Sequence, residues 1–408
     1  MVLVVFVVAI LLRSAALIVV MLFVCRRSGA LFSLSRAKEN EEEFVEMNWK
    51  TFERRVRHNQ MINDGERHTA VAAVDRKGRF ARNESSFRDR VSDIVSEKNR
   101  YKLIVSYACP WATRCLSVLY LKGLDDGIEV DIVHPTWQET RRGKDDEEDT
   151  DEDDGHAGWV FPNENCRWIQ HLSGIESAKF EVQEYHTRKD PKKTKKTEFY
   201  SIRDFYEEHD NSYKGPFTVP ILYDQTEKRI VNNESSEIIR DLNVRFQPLA
   251  KNATLDLYPE SKRKEIDEMN EWTYRAINNG VYKCGFARTQ EAYEEAVEEL
   301  YEGLERLESV LERSKMKFLV SDDEVTEIDV RVFQTLVRFD EVYVVYFKTN
   351  KKCIREYKNI SAYVKRLYAM PAFRKATNMW DIKTHYFTSH VALNPYGIIP
   401  KGDPSWLT

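Results

Sequence analysis

The sequence predicts an α/β amino-terminal domain followed by an all-α carboxy-terminal domain. Three observations carry that expectation. A strand, a helix and a second strand succeed one another between Tyr101 and Val133. A third strand and a hairpin follow from Thr218. From Ser261 to Tyr368, Glu, Lys, Leu and aromatic residues then recur at helical spacing.

The chain has 408 residues, 42% of them apolar and 32% charged, which suits two folded domains with extensions. A net charge of -5 supplies no basic face, so a nucleic-acid partner is not expected. The six cysteines are scattered, with neither the close pairing of a zinc site nor the density of a disulfide framework. No metal is expected, and each thiol has to be judged by its own setting.

Residues 1–27 open with an apolar run over 1–24, interrupted only by Arg13 and Ser14 and followed by Arg26 and Arg27. The run is long enough to span a bilayer and has no charge ahead of it, so it reads as a signal anchor and membrane tether. A cleaved targeting segment and an extended start are the rival readings. With the basic pair just beyond the run, the positive-inside rule places the catalytic domain in the cytosol. Residues 28–100 are polar and mixed in charge, an arm expected to pack over a domain without carrying chemistry.

The first domain, 101–245, begins with the strand Tyr101 to Tyr107. Pro110 fits the first turn of the helix that follows, where a missing N–H costs nothing, and Gly123 is placed to end it. Residues 128–133 alternate as the second strand, and Thr218 to Leu222 form the next. The long interval between them holds an acidic stretch, 145–154, and a basic one, 188–196, both read as solvated loops. After the hairpin of 223–231, Glu234 and Ser235 open a further helix. The second domain, 246–408, is helical, with a capping box at Thr326 and Asp329.

Cys109 stands between the first strand and its helix. There the sulfur faces unpaired N–H groups and the positive end of the helix dipole, a setting that favours thiolate. A free cysteine is also a common buried apolar residue, and position alone leaves both readings open. Ala112 occupies the place of the second cysteine of a CxxC, so an oxidised Cys109 needs an external thiol to resolve it, glutathione being the obvious candidate. Arg114 reads either as an aid to the thiolate or as a structural ion-pair partner, and Cys115 and Cys284 as packing residues.

The segments Ser106-Tyr107-Ala108-Cys109-Pro110-Trp111-Ala112, Val231 to Arg240, Asn278 to Ala287 and Val337 to Tyr343, with His385-Tyr386 and Asn394-Pro395, resemble the glutathionyl-hydroquinone reductases. These are the Xi class of omega-like glutathione transferases, and the resemblance covers residues 75 to 403. It implies a thioredoxin-like first domain and the glutathione transferase fold. It implies Cys109 as nucleophile, with Tyr282 and Tyr386 as donors to the oxygens of an aromatic substrate. It further implies glutathione as co-substrate, covered by Trp159, paired with Val219 beside a cis Pro220, and held at its γ-glutamyl end by Glu234 and Ser235. A homodimer is expected on the same ground.

The reaction so implied is reduction of a glutathionyl-hydroquinone to the free hydroquinone through a mixed disulfide on Cys109. The alternatives are an omega-like thioltransferase or dehydroascorbate reductase, which needs Cys109 but not the two tyrosines, and a non-catalytic transferase-like binding module.

Overall fold

The computed structural model describes residues 74–82, 84–141, 156–162, 199–390 and 393–408. The amino-terminal run of 1–24 and the acidic and basic stretches, on which the anchor and loop expectations rest, lie outside these residues. Among the described residues no helix is long and apolar enough to cross a membrane.

Strand β1 (Tyr101–Val105) is built from aliphatic residues that bury on both faces, with Leu103, Ile104 and Val105 at most 1% exposed. It lies inside a four-stranded sheet of order β2-β1-β5-β6. Strand β2 (Glu129–Ile132) pairs with it in parallel, Leu103 facing Val130. Strands β3 (Gln138–Glu139) and β4 (Ala157–Gly158) form a separate small ladder. Strand β5 (Ile221–Asp224) is antiparallel to β1 and turns through a hairpin into β6 (Arg229–Asn232).

Helix α1 (Pro110–Lys122) connects β1 to β2. Pro110 sits at its first position and Gly123 closes it in the left-handed region at φ 65°, where a Cβ is disfavoured. Ala112, Leu116 and Leu119 bury completely, packing α1 on later helices. Helix α2 (Ile202–His209) interrupts the charged interval that the sequence left without structure. Its Ser201/Asp204 capping box is a legible start signal that the surrounding charge obscured. Helix α3 (Ser235–Val244) follows β6 and packs beside α1.

The expected strand over 218–222 starts instead at Ile221. Pro220 has no N–H to give a ladder, and the Val219 carbonyl already accepts from the Cys109 thiol. The β-α-β order with a closing hairpin and helix is the thioredoxin-like arrangement expected.

The helical part comprises α4 (Arg263–Thr273), α5 (Gly280–Phe286), α6 (Gln290–Ser314), α7 (Glu327–Arg338), α8 (Lys358–Ala369) and α9 (Met379–Thr388). Two π-helical turns, Tyr274–Asn278 and Phe339–Tyr343, extend α4 and α7. Helix α7 is the axis of this part: Ile328, Val330, Val332, Phe333 and Leu336 are fully buried. Its polar residues Asp329, Gln334 and Arg338 are buried with them, and α7 packs against α1 across the two parts of the fold.

The described portion of the arm, 74–82 and 84–100, is stitched to α3 and the sheet by charged side chains: Arg88 to Glu237, Arg90 to Asp241 at 2.6 Å and Arg100 to Asp224 at 2.8 Å. From the same arm, the charge of Arg82 acts on Cys109.

Candidate active site

Cys109 is the N-cap residue of α1, with an extended backbone and half-buried side chain. Its thiol donates to the Val219 carbonyl across 3.5 Å. Burial pushes this thiol above its ordinary range, while the Ala112 and Trp111 amides and the charges of Arg338 and Arg82 pull it back. The expected helix-terminus effect is therefore present, but burial outweighs it, and the free site holds a thiol rather than a standing thiolate. Cys115 and Cys284 are buried and inert by comparison, both pushed up by desolvation.

The cations beside the sulfur are not the one suspected from the sequence. Arg114 is 2% exposed and lies 4.5 Å over the Trp111 ring, and burial drives it down to about 10. The leading charge effects on Cys109 come from Arg338 and Arg82, whereas Arg114 acts on Cys115 and Glu234. Arg338 takes the place proposed for it. Its side chain is completely buried at the end of α7 and donates to the Tyr107 carbonyl at 2.9 Å, to Thr113 Oγ1 at 2.9 Å and to the Gln334 carbonyl at 2.7 Å. Tyr107 and Thr113 flank Cys109, so the helical part fixes the loop that presents the sulfur. Arg82 comes from the arm: its guanidinium sits 4.4 Å over Trp111 and 4.9 Å over Tyr282, and its Nε donates to Asn279 Oδ1 at 3.0 Å. A charged residue inside the otherwise apolar run Val337 to Phe339 was the legible hint for Arg338; Arg82 carried no local signal at all.

Tyr282 on α5 and Tyr386 on α9 are brought together, their hydroxyls 2.9 Å apart. A third phenol joins them: Tyr343, fully buried at the end of the π-turn, lies 3.3 Å from the Tyr386 hydroxyl. Burial raises all three above the usual tyrosine range, so they remain protonated donors. The negative charge of a Cys109 thiolate adds to that rise for Tyr282 and Tyr343, which marks their nearness to the sulfur. Trp111 and Phe286 flank Tyr282 with ring centroids 6.1 and 6.2 Å away.

On the other side of Cys109, the Val219–Pro220 bond is cis. Glu234 caps α3 by accepting from the Ser236 N–H at 2.9 Å and from the Ser85 hydroxyl at 3.0 Å. Burial raises its carboxyl, but those donors and the Arg114 charge prevail and hold it below the usual carboxylate range. Ser235 is buried at the first turn of α3, and its carbonyl accepts from the Cys115 thiol. Trp159 stacks on His385, centroids 4.5 Å apart, and meets Trp137 edge-on. It borders the α9 side of the site rather than the Glu234 side.

Comparison with known proteins agrees with this architecture. The family model for the glutathione S-transferase N-terminal domain matches residues 108–245, and that for the C-terminal domain matches 290–366. The chain is 42% identical to glutathione S-transferase omega-like 2 of Schizosaccharomyces pombe over 80% of this chain and 93% of that protein. It is 36% identical to the glutathionyl-hydroquinone reductase YqjG of Escherichia coli, over 80% and 89%. The crystal structure of the glutathione S-transferase Xi from Phanerochaete chrysosporium superposes with a TM-score of 0.64 at 42% identity, covering 79% of this chain and 97% of that one. The glutathione-bound structure of YqjG superposes with a TM-score of 0.63 at 36% identity, covering 78% and 92%. The chain thus belongs to the glutathione S-transferase family, within its omega-like Xi class.

Proposed function

We propose that the chain reduces glutathionyl-hydroquinones to free hydroquinones, using glutathione as the reductant. The observation that carries this reading is the trio of protonated phenols gathered beside Cys109. A disulfide exchange enzyme has no use for them, because a thiolate leaves readily. An aryl carbon is a poor leaving group, and donors aimed at its ring oxygens stabilise the charge that develops there. The names of the relatives, which include glutathionyl-hydroquinone reductases, point the same way.

In this scheme the Cys109 thiolate attacks the sulfur of the conjugate. The aryl carbon–sulfur bond breaks, the ring carbon takes a proton, and Cys109 is left disulfide-bonded to glutathione. A second glutathione thiolate attacks that disulfide, releasing oxidised glutathione and restoring the Cys109 thiol. Tyr282, Tyr343 and Tyr386 hold a ring oxygen through the first step. Arg338 and Arg82 offset the charge of the thiolate.

Glutathione itself fits the other half of the site. The Ser235 carbonyl meets Cys115, six residues or roughly 9 Å along α1 from Cys109, a separation suited to the γ-glutamyl arm of the tripeptide. There the ionised Glu234 takes the γ-glutamyl ammonium, while Ser235 and the α3 amides take its carboxylate. The Val219 backbone pairs with the peptide, and Trp159 closes over it from the α9 side.

The test compares two substrates. Tyr282→Phe combined with Tyr386→Phe is expected to lower glutathionyl-hydroquinone turnover by roughly 10 to 1000 fold while reduction of a simple glutathione mixed disulfide persists. Parallel loss of both activities would make the tyrosines structural. Loss of neither would favour the thioltransferase reading.

A further inference from the structure

The aromatic lining continues past the three phenols into side chains for which the proposed reaction has no role. The His390 ring is bordered by Trp137 at 4.8 Å between centroids, His385 at 5.3 Å, Tyr346 at 5.7 Å, Phe286 at 6.2 Å and Tyr386 at 6.4 Å. Phe286 and Tyr386 also border Tyr282, so this cage shares two walls with the site beside Cys109.

Among these rings, Trp137 Nε1, the Tyr346 hydroxyl and both ring nitrogens of His390 are buried with no hydrogen-bond partner among the described residues. Buried polar atoms are ordinarily paired, and a Phe or Leu at each position would pack as well without the penalty. The three tips come from separate segments: the loop after β2, the helical run continuing α7, and the chain leaving α9. Their spacing repeats that of the phenols. Tyr346 follows Tyr343 by three residues on one helical run, about one turn further along. His390 follows Tyr386 by four. One turn is close to the span between the two oxygens of a 1,4-dihydroxyarene.

We infer that Trp137, Tyr346 and His390 form a polar-tipped aromatic station that holds the second oxygen of a dihydroxyaryl substrate, one turn from the oxygen met by Tyr343 and Tyr386. This deepens the proposed function and rests on it. The chemistry of the tips sets the selectivity. Burial pushes His390 down to about 4, so at neutral pH its ring is uncharged and offers one donor and one acceptor, as a hydroxyl requires. Tyr346 offers both roles as well, and Trp137 donates only. A ring bearing hydrogen or halogen in place of that hydroxyl leaves the tips unpaired, and an ionised group meets no countercharge among them.

The experiment measures kcat/KM of the full chain for a glutathionyl-1,4-hydroquinone and for S-phenacylglutathione, whose ring bears no hydroxyl and whose single oxygen is a side-chain ketone. The ratio of the two is compared between wild type and His390→Phe combined with Tyr346→Phe. The preference for the two-oxygen substrate is expected to fall about tenfold or more in the variant, the effect of losing one or two well-made hydrogen bonds. A ratio unchanged within about twofold overturns the inference. Should the double variant be inactive on both substrates, Tyr346→Phe alone removes a single oxygen atom, and its ratio decides in the same way. Wild-type protein that turns over neither conjugate would sink the proposed function and this inference together, whereas turnover with an unmoved ratio sinks the inference only.

Discussion

At the scale of single residues, the site is governed by what surrounds the Cys109 sulfur. Burial raises its pKa, and the nearby guanidinium groups of Arg338 and Arg82 work against that rise. Arg82 is exposed and bridges rings instead of filling the core, so it can be removed without disturbing packing. Replacing it as Arg82→Met takes away a cation that favours the thiolate. Alkylation of Cys109 by iodoacetamide is therefore expected to shift to higher pH, with a slower rate at pH 7 and unchanged thermal stability; an unmoved profile would deny the cation its role. The imidazoles give a second prediction. His385 and His390 are both held below the ordinary histidine range, chiefly by burial, so the unfolded chain binds protons there that the folded chain refuses. The stability tied to them is complete above the unfolded value of about 6.5 and is lost as pH falls toward 4. The thermal midpoint of His390→Phe is expected to fall less than that of wild type between about pH 6.5 and 5. Equal slopes would contradict it.

At the scale of elements, what the sequence made legible were the pieces with local chemistry. The aliphatic run of β1, Pro110 and Gly123 at the two ends of α1, the hairpin before Glu234 and the Thr326/Asp329 box all depend on near neighbours. All are present. The π-turns were not legible, because one extra residue in a helical turn leaves an apolar pattern almost unchanged. That is why Tyr343 was missed as a partner although its segment was noticed. Arg338 and Arg82 were missed for a different reason: both act on Cys109 from more than twenty-five residues away, and even the local oddity of Arg338 among apolar neighbours does not say which residue it serves. The start of α7 offers a stability test. The Asp329 carboxylate is completely buried and accepts from the Leu319 N–H at 2.9 Å, the Thr326 N–H and hydroxyl at 2.8 Å each, and the Tyr363 hydroxyl at 2.8 Å. Asp329→Ala leaves these donors unpaired and is expected to cost about 3 kcal/mol or more, read as a lower urea midpoint at unchanged slope. A loss under about 1 kcal/mol would mean the carboxylate is not holding the α7 start.

At the scale of the whole molecule, Cys109 and the groups around it come from different parts of the fold. Cys109 is carried by the sheet domain, its phenols and Arg338 by the helical part, and Arg82 and Ser85 by the arm. The arm also neutralises Asp241 and Asp224, which are almost completely buried. A chain beginning at residue 74 is accordingly expected to keep its stability and activity, while one beginning at residue 101 strands both carboxylates and loses activity through unfolding, as circular dichroism would report. Equal activity of the two would make the arm dispensable.

The chemistry that unites these parts can be caught in one turnover. Full-length protein with reduced thiols is mixed with excess glutathionyl-hydroquinone and no free glutathione, then quenched and digested for peptide mass. One glutathionyl group on the peptide containing Cys109, formed with an equal amount of free hydroquinone, is the expected result. Hydroquinone released without any adduct, or an adduct confined to Cys115 or Cys284, would contradict it.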